Sequence, residues 1–188
     1  MARIIRKGDG ANVPLDFGVP PGYTIYLSGG MEYSSDYGMG WRDKIVQELS
    51  ETGFKFYNPC EEEKPILKHH GVKDPTELFK MKTWKDLPKA VSVVKDFLIK
   101  DRNVIYQCNA LIVYYDKSTQ LGGGTAMEQA WANEGVNEQR PIFFVMGIGF
   151  ELKNVSLSML AMSDYIFEDL KDCIIYLKRA RELYDHVT

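Results

Sequence analysis

Ala110-Leu111-Ile112-Val113-Tyr114-Tyr115 is an unbroken apolar run, rich in β-branched and aromatic residues, and it is followed by Asp116 and then by Gly122-Gly123-Gly124-Thr125-Ala126-Met127-Glu128. A run of this kind reads as a strand buried on both faces of a parallel sheet. The glycine-rich turn opens a helix, with Glu128 one turn in. Ligands of open α/β sheets bind beyond the carboxyl ends of the strands. Glycines allow backbone and ligand to approach closely, and a helix N-terminus offers unpaired N–H groups to polar or anionic atoms. Glu128 therefore stands where a carboxylate meets a bound substrate. A structural role accounts for the same residues, because acids favour the first turn of any helix.

Upstream, Tyr23-Thr24-Ile25-Tyr26-Leu27-Ser28 reads as a first strand ending in Gly29-Gly30. Trp41 to Thr52 has helical spacing and Gly53 supplies its stop. Phe54-Lys55-Phe56-Tyr57 is a second strand closed by Asn58-Pro59. From Cys60 to Trp84 the chain is charged and irregular, longer than an ordinary α/β connection, and such insertions often form lids or binding loops. Lys89 to Gln107 is predicted helical, with Val91, Val94, Leu98, Ile99, Arg102 and Ile105 at roughly helical spacing along the side expected to pack. Downstream, the helix of Glu128 runs to about Gly135. Pro141 to Met146 is a fourth strand, Tyr165-Ile166-Phe167 a fifth, and Leu170 to Tyr184 a closing amphipathic helix.

Alternating strands and helices imply a single-domain, doubly wound parallel sheet with right-handed crossovers. Five strands in the flavodoxin-like order 2-1-3-4-5 bring Ser28-Gly29-Gly30 and the Asp116 to Gly124 stretch to one crevice. Residues 1–22, dense in Gly and Pro, form an arm that either packs on a partner subunit or stays mobile. The α/β domain is 23–188, with an insertion at about 60–100.

The chain has 188 residues, 45% of them hydrophobic, and a formal net charge of −3, which gives no field to draw it to nucleic acid or an anionic membrane. No stretch is apolar and long enough to span a bilayer. Cys60, Cys108 and Cys173 are odd in number and lack ligand spacing, as expected of reduced thiols in a cytoplasmic protein. A small-molecule partner is the expectation.

Three segments resemble the nucleoside 2-deoxyribosyltransferase family and its relatives, the nucleotide N-glycosidases: Thr24 to Gly30 with Trp41-Arg42 beyond it, Asp101 before the third strand, and Gly124-Thr125-Ala126-Met127-Glu128. The resemblance implies the same five-stranded fold, cleavage of an N-glycosidic bond, no metal and no redox cofactor. It implies Glu128 as the nucleophile at the anomeric carbon, Asp101 as the acid serving the base, and Tyr26 as the hydrogen-bond partner of the nucleophile. It also implies Asn154 as a sugar ligand delivered to a neighbouring subunit, hence a homo-oligomer. Ser28, Gly29, Gly30, Arg42, Asp116, Gly124 and Thr125 complete the expected substrate site. Six residues before Glu128 the transferases typically carry aspartate and the monophosphate hydrolases serine, whereas this chain has Gly122. A weaker likeness runs to phosphoribohydrolases with a PGGxGTxxE motif, which also cleave an N-glycosidic bond.

Glu128 and Asp101 suit this chemistry, because a carboxylate below the sugar captures the developing oxocarbenium ion while an acid protonates the leaving base. Transfer to a second base is the leading expectation, hydrolysis of a nucleoside or its 5′-monophosphate the alternative, and a non-catalytic nucleotide-binding module the reading from another class. Arg42 either meets a 5′-phosphate or pairs with an acid on its own helix. Asp116 either orients the sugar or caps its turn. Trp84 or Tyr33 either stacks on the base or serves in packing, and His69-His70 either binds metal or phosphate or is solvated surface.

Overall fold

Side chains along the strand Thr24–Gly29 (β2) alternate between two cores, which is why its sequence looks uniformly buried. Ile25 and Leu27 join a cluster on one face of the sheet, and Tyr26 joins a second on the other. The computed structural model describes residues 2–134 and 140–187. Besides β2 its strands are β1 (Arg3–Ile5), β3 (Lys55–Tyr57), β4 (Ala110–Tyr115), β5 (Ile142–Met146) and β6 (Tyr165–Phe167), all parallel, in the order β1-β6-β5-β4-β2-β3. Without β1 this is the predicted 2-1-3-4-5 arrangement. The sixth strand comes from the N-terminal segment.

On one face lie α1 (Met39–Glu48) and α9 (Leu170–Val187), packed over Ile25, Leu27, Ile112, Phe143 and Val145. On the other lie α5 (Leu87–Ile105), α7 (Gly124–Asn133) and α8 (Leu157–Ala161), over Tyr26, Leu111, Val113 and Phe144. α1 is continued by a 3-10 turn over Ser50–Thr52, and Gly53 ends it in the left-handed conformation at φ 73°. The predicted stop is thus met by the residue that adopts this backbone without strain. α7 ends at Asn133, and Gly135, its expected end, lies outside the described residues.

The insertion is not irregular. It folds into α2 (Pro59–Glu62), α3 (Lys64–His69) and α4 (Pro75–Lys80), with Asn58 and Asp74 capping the first and third. Leu67, Val72 and Leu78 pack with Ala90, Val93 and Phe97 of α5 into a small core of their own. This corrects the predicted apolar side of α5. Val91, Val94 and Ile99 are exposed, and the buried stripe is Ala90, Val93, Phe97, Asp101 and Ile105. Two apolar rows run along this helix, and the insertion chooses between them.

The N-terminal arm packs on its own domain. β1 pairs with β6, and the Asp172 carboxylate accepts from the N–H groups of Gly8 and Gly10 at 2.7 and 2.9 Å. Arg179 donates to the carbonyls of Gly10 and Val13. A short helix unforeseen in the sequence, α6 (Lys117–Leu121), follows β4 directly. Its start touches the end of β2. Gly30 N–H donates to Thr119 Oγ1 at 2.8 Å, and Thr119 Oγ1 donates to the Tyr114 carbonyl at 2.9 Å. A Cβ on Gly30 would lie 2.5 Å from the Thr119 nitrogen, so Gly30→Ala is expected to destabilise the protein by about 2–3 kcal/mol, measured by chemical denaturation.

Candidate active site

Tyr26 and Ser28 are two residues apart on β2 and therefore project on the same side, toward α7. Both are fully buried. Tyr26 OH donates to Glu128 Oε1 at 2.9 Å, and Ser28 Oγ donates to Glu128 Oε2. Each carboxylate oxygen thus has one hydroxyl donor from the neighbouring strand. Glu128 is the fifth residue of α7 and bonds across to the sheet, so it does not act as a helix-dipole acid. The rotation of α7 is fixed on its other side by fully buried Gln129, whose Nε2 donates to the Met159 carbonyl and to Ser163 Oγ.

Glu128 as a residue is partly exposed, while its carboxylate is enclosed. Burial raises its pKa, opposed by the hydrogen bonds of Ser28 and Tyr26 and by the charges of Arg42 and Lys100. The Tyr26 hydroxyl is driven well above its usual value, first by burial and then by the Glu128 and Asp101 charges. Tyr26 therefore stays a donor. Its ring stacks on Tyr57 at 5.3 Å.

Asp101 occupies a position on the buried stripe of α5 where an apolar residue is expected. It is 4% exposed, and its Oδ1 has no hydrogen-bond partner among the described residues. Lys100 Nζ stands 3.5 Å from that oxygen and also lies over the Tyr57 and Phe97 rings. Burial and the Glu128 charge push the Asp101 carboxyl up to about 7. A carboxyl so poised can hold a proton near neutrality and give it up.

A third acid was not foreseen. Glu63, between α2 and α3, is 3% exposed, and burial together with the Asp101 charge raises its carboxyl to about 8. It lies in the run Glu61-Glu62-Glu63, which reads as solvated surface. The available signal was the four-residue spacing Pro59, Glu63, Leu67, all three of them buried. Among the described residues, no group of three or more His, Cys, Asp or Glu side chains is placed to hold a metal ion.

The remaining predicted residues serve the frame. Fully buried Arg42 donates from Nε to the Leu27 carbonyl at 3.1 Å, from Nη1 to Gly38 at 2.7 Å and from Nη2 to Gly29 at 3.0 Å. The hydrogen bonds of Arg42 thus go to backbone carbonyls around the end of β2 and not to an acid on its own helix. Arg42→Met is expected to destabilise the fold by about 3 kcal/mol or more in chemical denaturation, because three buried carbonyls lose their donor. A phosphate-binding role would instead raise KM at unchanged stability. Ser28, expected at the substrate, has its hydroxyl on Glu128 in this structure. Asp116 caps α6 through Thr119 N–H at 3.0 Å and accepts from Ser118 Oγ at 2.6 Å, which is the capping alternative.

A Cβ on Gly29 would press on Trp41, so this glycine answers to packing. At Gly123 and Gly124 a Cβ would meet nothing within 4 Å, and neither has positive φ. Thr125 is buried in the first turn of α7. Asn154 is exposed on the 3-10 turn Leu152–Asn154, its carbonyl accepting from Gln120 Nε2 at 3.3 Å. Trp84 is exposed outside the small core, and half-exposed Tyr33 lies beneath the Lys82 ammonium, which pairs with Glu32. His70 is not free surface, because its Nε2 meets Asp96 Oδ2 at 2.7 Å and ties α3 to α5. Among the described residues no helix is long and apolar enough to cross a membrane.

No protein-family model matches the chain, and no curated protein matches it significantly. Among solved structures it is similar to the 2-deoxyribosyltransferase of Bacillus psychrosaccharolyticus, with 17% identity and a TM-score of 0.51 over 80% of this chain and 90% of that one. It is also similar to the CMP N-glycosidase of Clostridium botulinum, with 14% identity and a TM-score of 0.43 over 86% and 98%. A third similar structure is a flavoenzyme NAD(P)H:acceptor oxidoreductase of Paracoccus denitrificans, at 11% identity and 0.41 over 87% and 94%. Likeness at these identities is likeness of fold, and the chain has the doubly wound α/β fold of the 2-deoxyribosyltransferase.

Proposed function

We propose that this protein cleaves the N-glycosidic bond of a (deoxy)nucleoside and transfers the sugar to another nucleobase. The observation that carries the reading is the Glu128 carboxylate, held on both oxygens by the Tyr26 and Ser28 hydroxyls beside the buried acid Asp101. Glu128 attacks C1′, the C1′–N bond breaks with its electron pair leaving on the base, and Asp101 delivers a proton to that base. The resulting glycosyl ester on Glu128 is then opened at C1′ by a nitrogen of the incoming base, which returns a proton to Asp101. Water in place of the base makes the same site a hydrolase. The scheme draws on no metal or redox cofactor.

Tyr26 and Ser28 act as positioning residues. Each donates to one oxygen, leaving further lone pairs of the carboxylate for the sugar carbon. Asn154, exposed on its turn, is assigned to the sugar of a neighbouring subunit, so a homo-oligomer belongs to the proposal. The fold shared with a 2-deoxyribosyltransferase supports this reading.

The test is a panel of ribo- and deoxynucleosides and their 5′-monophosphates, with and without a free acceptor base, followed by mass-resolved chromatography. A new nucleoside that forms only with acceptor present is the expected result. Free base without acceptor assigns hydrolysis. No product from any substrate overturns the reading and leaves a binding module.

A further inference from the structure

Lys100 directly precedes Asp101 on α5. Neighbours in a helix point about 100° apart and do not face each other. Lys100 nevertheless turns back, so that its Nζ stands 3.5 Å from Asp101 Oδ1, 5.7 Å from the Tyr57 ring centre and 5.9 Å from that of Phe97. Its side chain is 22% exposed, yet Nζ is buried, and neither Nζ nor Asp101 Oδ1 makes a hydrogen bond among the described residues. A lysine at a surface ordinarily lays its stem on the protein and keeps its ammonium in water. Here the order is reversed, and taking the charge out of water is costly unless a partner offsets it. That partner is incomplete at rest. The Asp101 carboxyl titrates at about 7, so near neutrality about half of the molecules hold it protonated and lack the full ion pair.

We propose that Lys100 is the counter-ion of the reaction, holding the negative charge that appears on Asp101 when this acid gives its proton to the departing base. The inference rests on the function proposed above and deepens it. Before the step Glu128 carries the charge and Asp101 the proton. Glu128 forms its bond to C1′, the C1′–N electron pair leaves on the base, and the Asp101 proton goes to that base. Negative charge has thus moved from Glu128, now a neutral ester, to Asp101. A cation already desolvated beside Asp101 stabilises the charge as it develops, with no reorganisation of water. Lys100 acts through Asp101 and is a positioning residue.

The other groups that bear on Asp101 are Tyr26 on β2, Tyr57 on β3, Glu63 ahead of α3 and Glu128 on α7. Arg42 on α1 acts on Glu63 and Glu128, and its donors are given to backbone carbonyls. Lys100 is the cation that bears on all three acids, Glu63, Asp101 and Glu128. Removing it leaves the Glu128 charge unopposed at Asp101, whose pKa then rises.

The experiment compares the whole parent protein with Lys100→Met and Lys100→Arg in two readings. One is the pH profile of kcat and KM in the nucleoside panel, and the other is a carbon NMR titration of the Asp101 side chain, which separates it from Glu63. In Lys100→Met the Asp101 titration and the alkaline limb of kcat/KM are both expected to move up by about one pH unit or more. At pH 7 kcat is expected to fall about tenfold, with KM within about threefold of the parent. A nucleoside with an activated leaving group, which needs no proton, loses far less. Lys100→Arg keeps the charge and is expected to return the limb and most of kcat, and melting curves verify that both variants are folded. A lysine with a merely structural role moves neither reading. An Asp101 titration unmoved in folded Lys100→Met overturns the proposal, as does an unmoved alkaline limb. If the parent turns over nucleosides while Lys100 proves indifferent, only this inference fails. If the parent turns over no nucleoside, the proposed function fails and this role with it.

Discussion

Glu128→Gln is expected to lower turnover by roughly 10³–10⁴-fold while leaving the protein folded. Gln is nearly isosteric with Glu, and its amide oxygen still accepts from one of the two hydroxyls that hold the carboxylate, Tyr26 and Ser28. Its NH₂ can donate to the oxygen of the other hydroxyl. What disappears is the negative charge below the sugar and the atom that forms the ester. Because burial raises the pKa of this carboxyl, removing the charge does not weaken the fold. The measurement is product formation in the nucleoside panel beside a melting curve of the variant. An intact fold with turnover within tenfold of the parent assigns the nucleophile elsewhere.

The second large effect is expected at Asp101. Its carboxyl titrates at about 7 and must carry a proton to serve the departing base. Above pH 7 it ionises, so kcat/KM is expected to fall about tenfold per pH unit on the alkaline side. The acid limb belongs to Glu128, which must be ionised to attack and loses that form as pH drops. Asp101→Asn should reduce kcat/KM by about 10²–10³-fold and flatten the alkaline limb. A base that leaves without protonation gives a control, because a nucleoside with an activated leaving group should lose far less. An alkaline limb that survives Asp101→Asn would assign it to another group, with Glu63 at about 8 the nearest.

How far the sequence could be read depended on whether local pattern or a distant partner decided each element. β4 and β5 are legible because strands buried on both faces must be apolar throughout, and the order of the sheet follows from their alternation with helices. Tyr26 was reached only through the family resemblance and Ser28 was expected at the substrate, although their two-residue spacing on a strand sends both side chains to one face. Arg42 was misread because an arginine beside a glycine turn looks the same whether its partner is a ligand or the protein's own carbonyls. The face of α5 was misread because its sequence has two apolar rows, and only the insertion decides which is covered. Glu63 was hidden in an acidic run whose other members are exposed. Its burial comes from the insertion folding back, which no spacing within the run reveals.

The pairing of β1 with β6 joins residues about 160 positions apart, as in the bond from Lys7 N–H to Glu168 Oε2. At ordinary rates of synthesis, roughly 8–30 s separate the appearance of the two strands. The order matters. β6 emerges late and would otherwise present an open sheet edge, the surface on which chains pair wrongly with one another. Its partner is by then already made and tethered to the same molecule. Covering β6 is therefore unimolecular and independent of protein concentration, and it leaves β1 as the outermost strand on that side of the sheet.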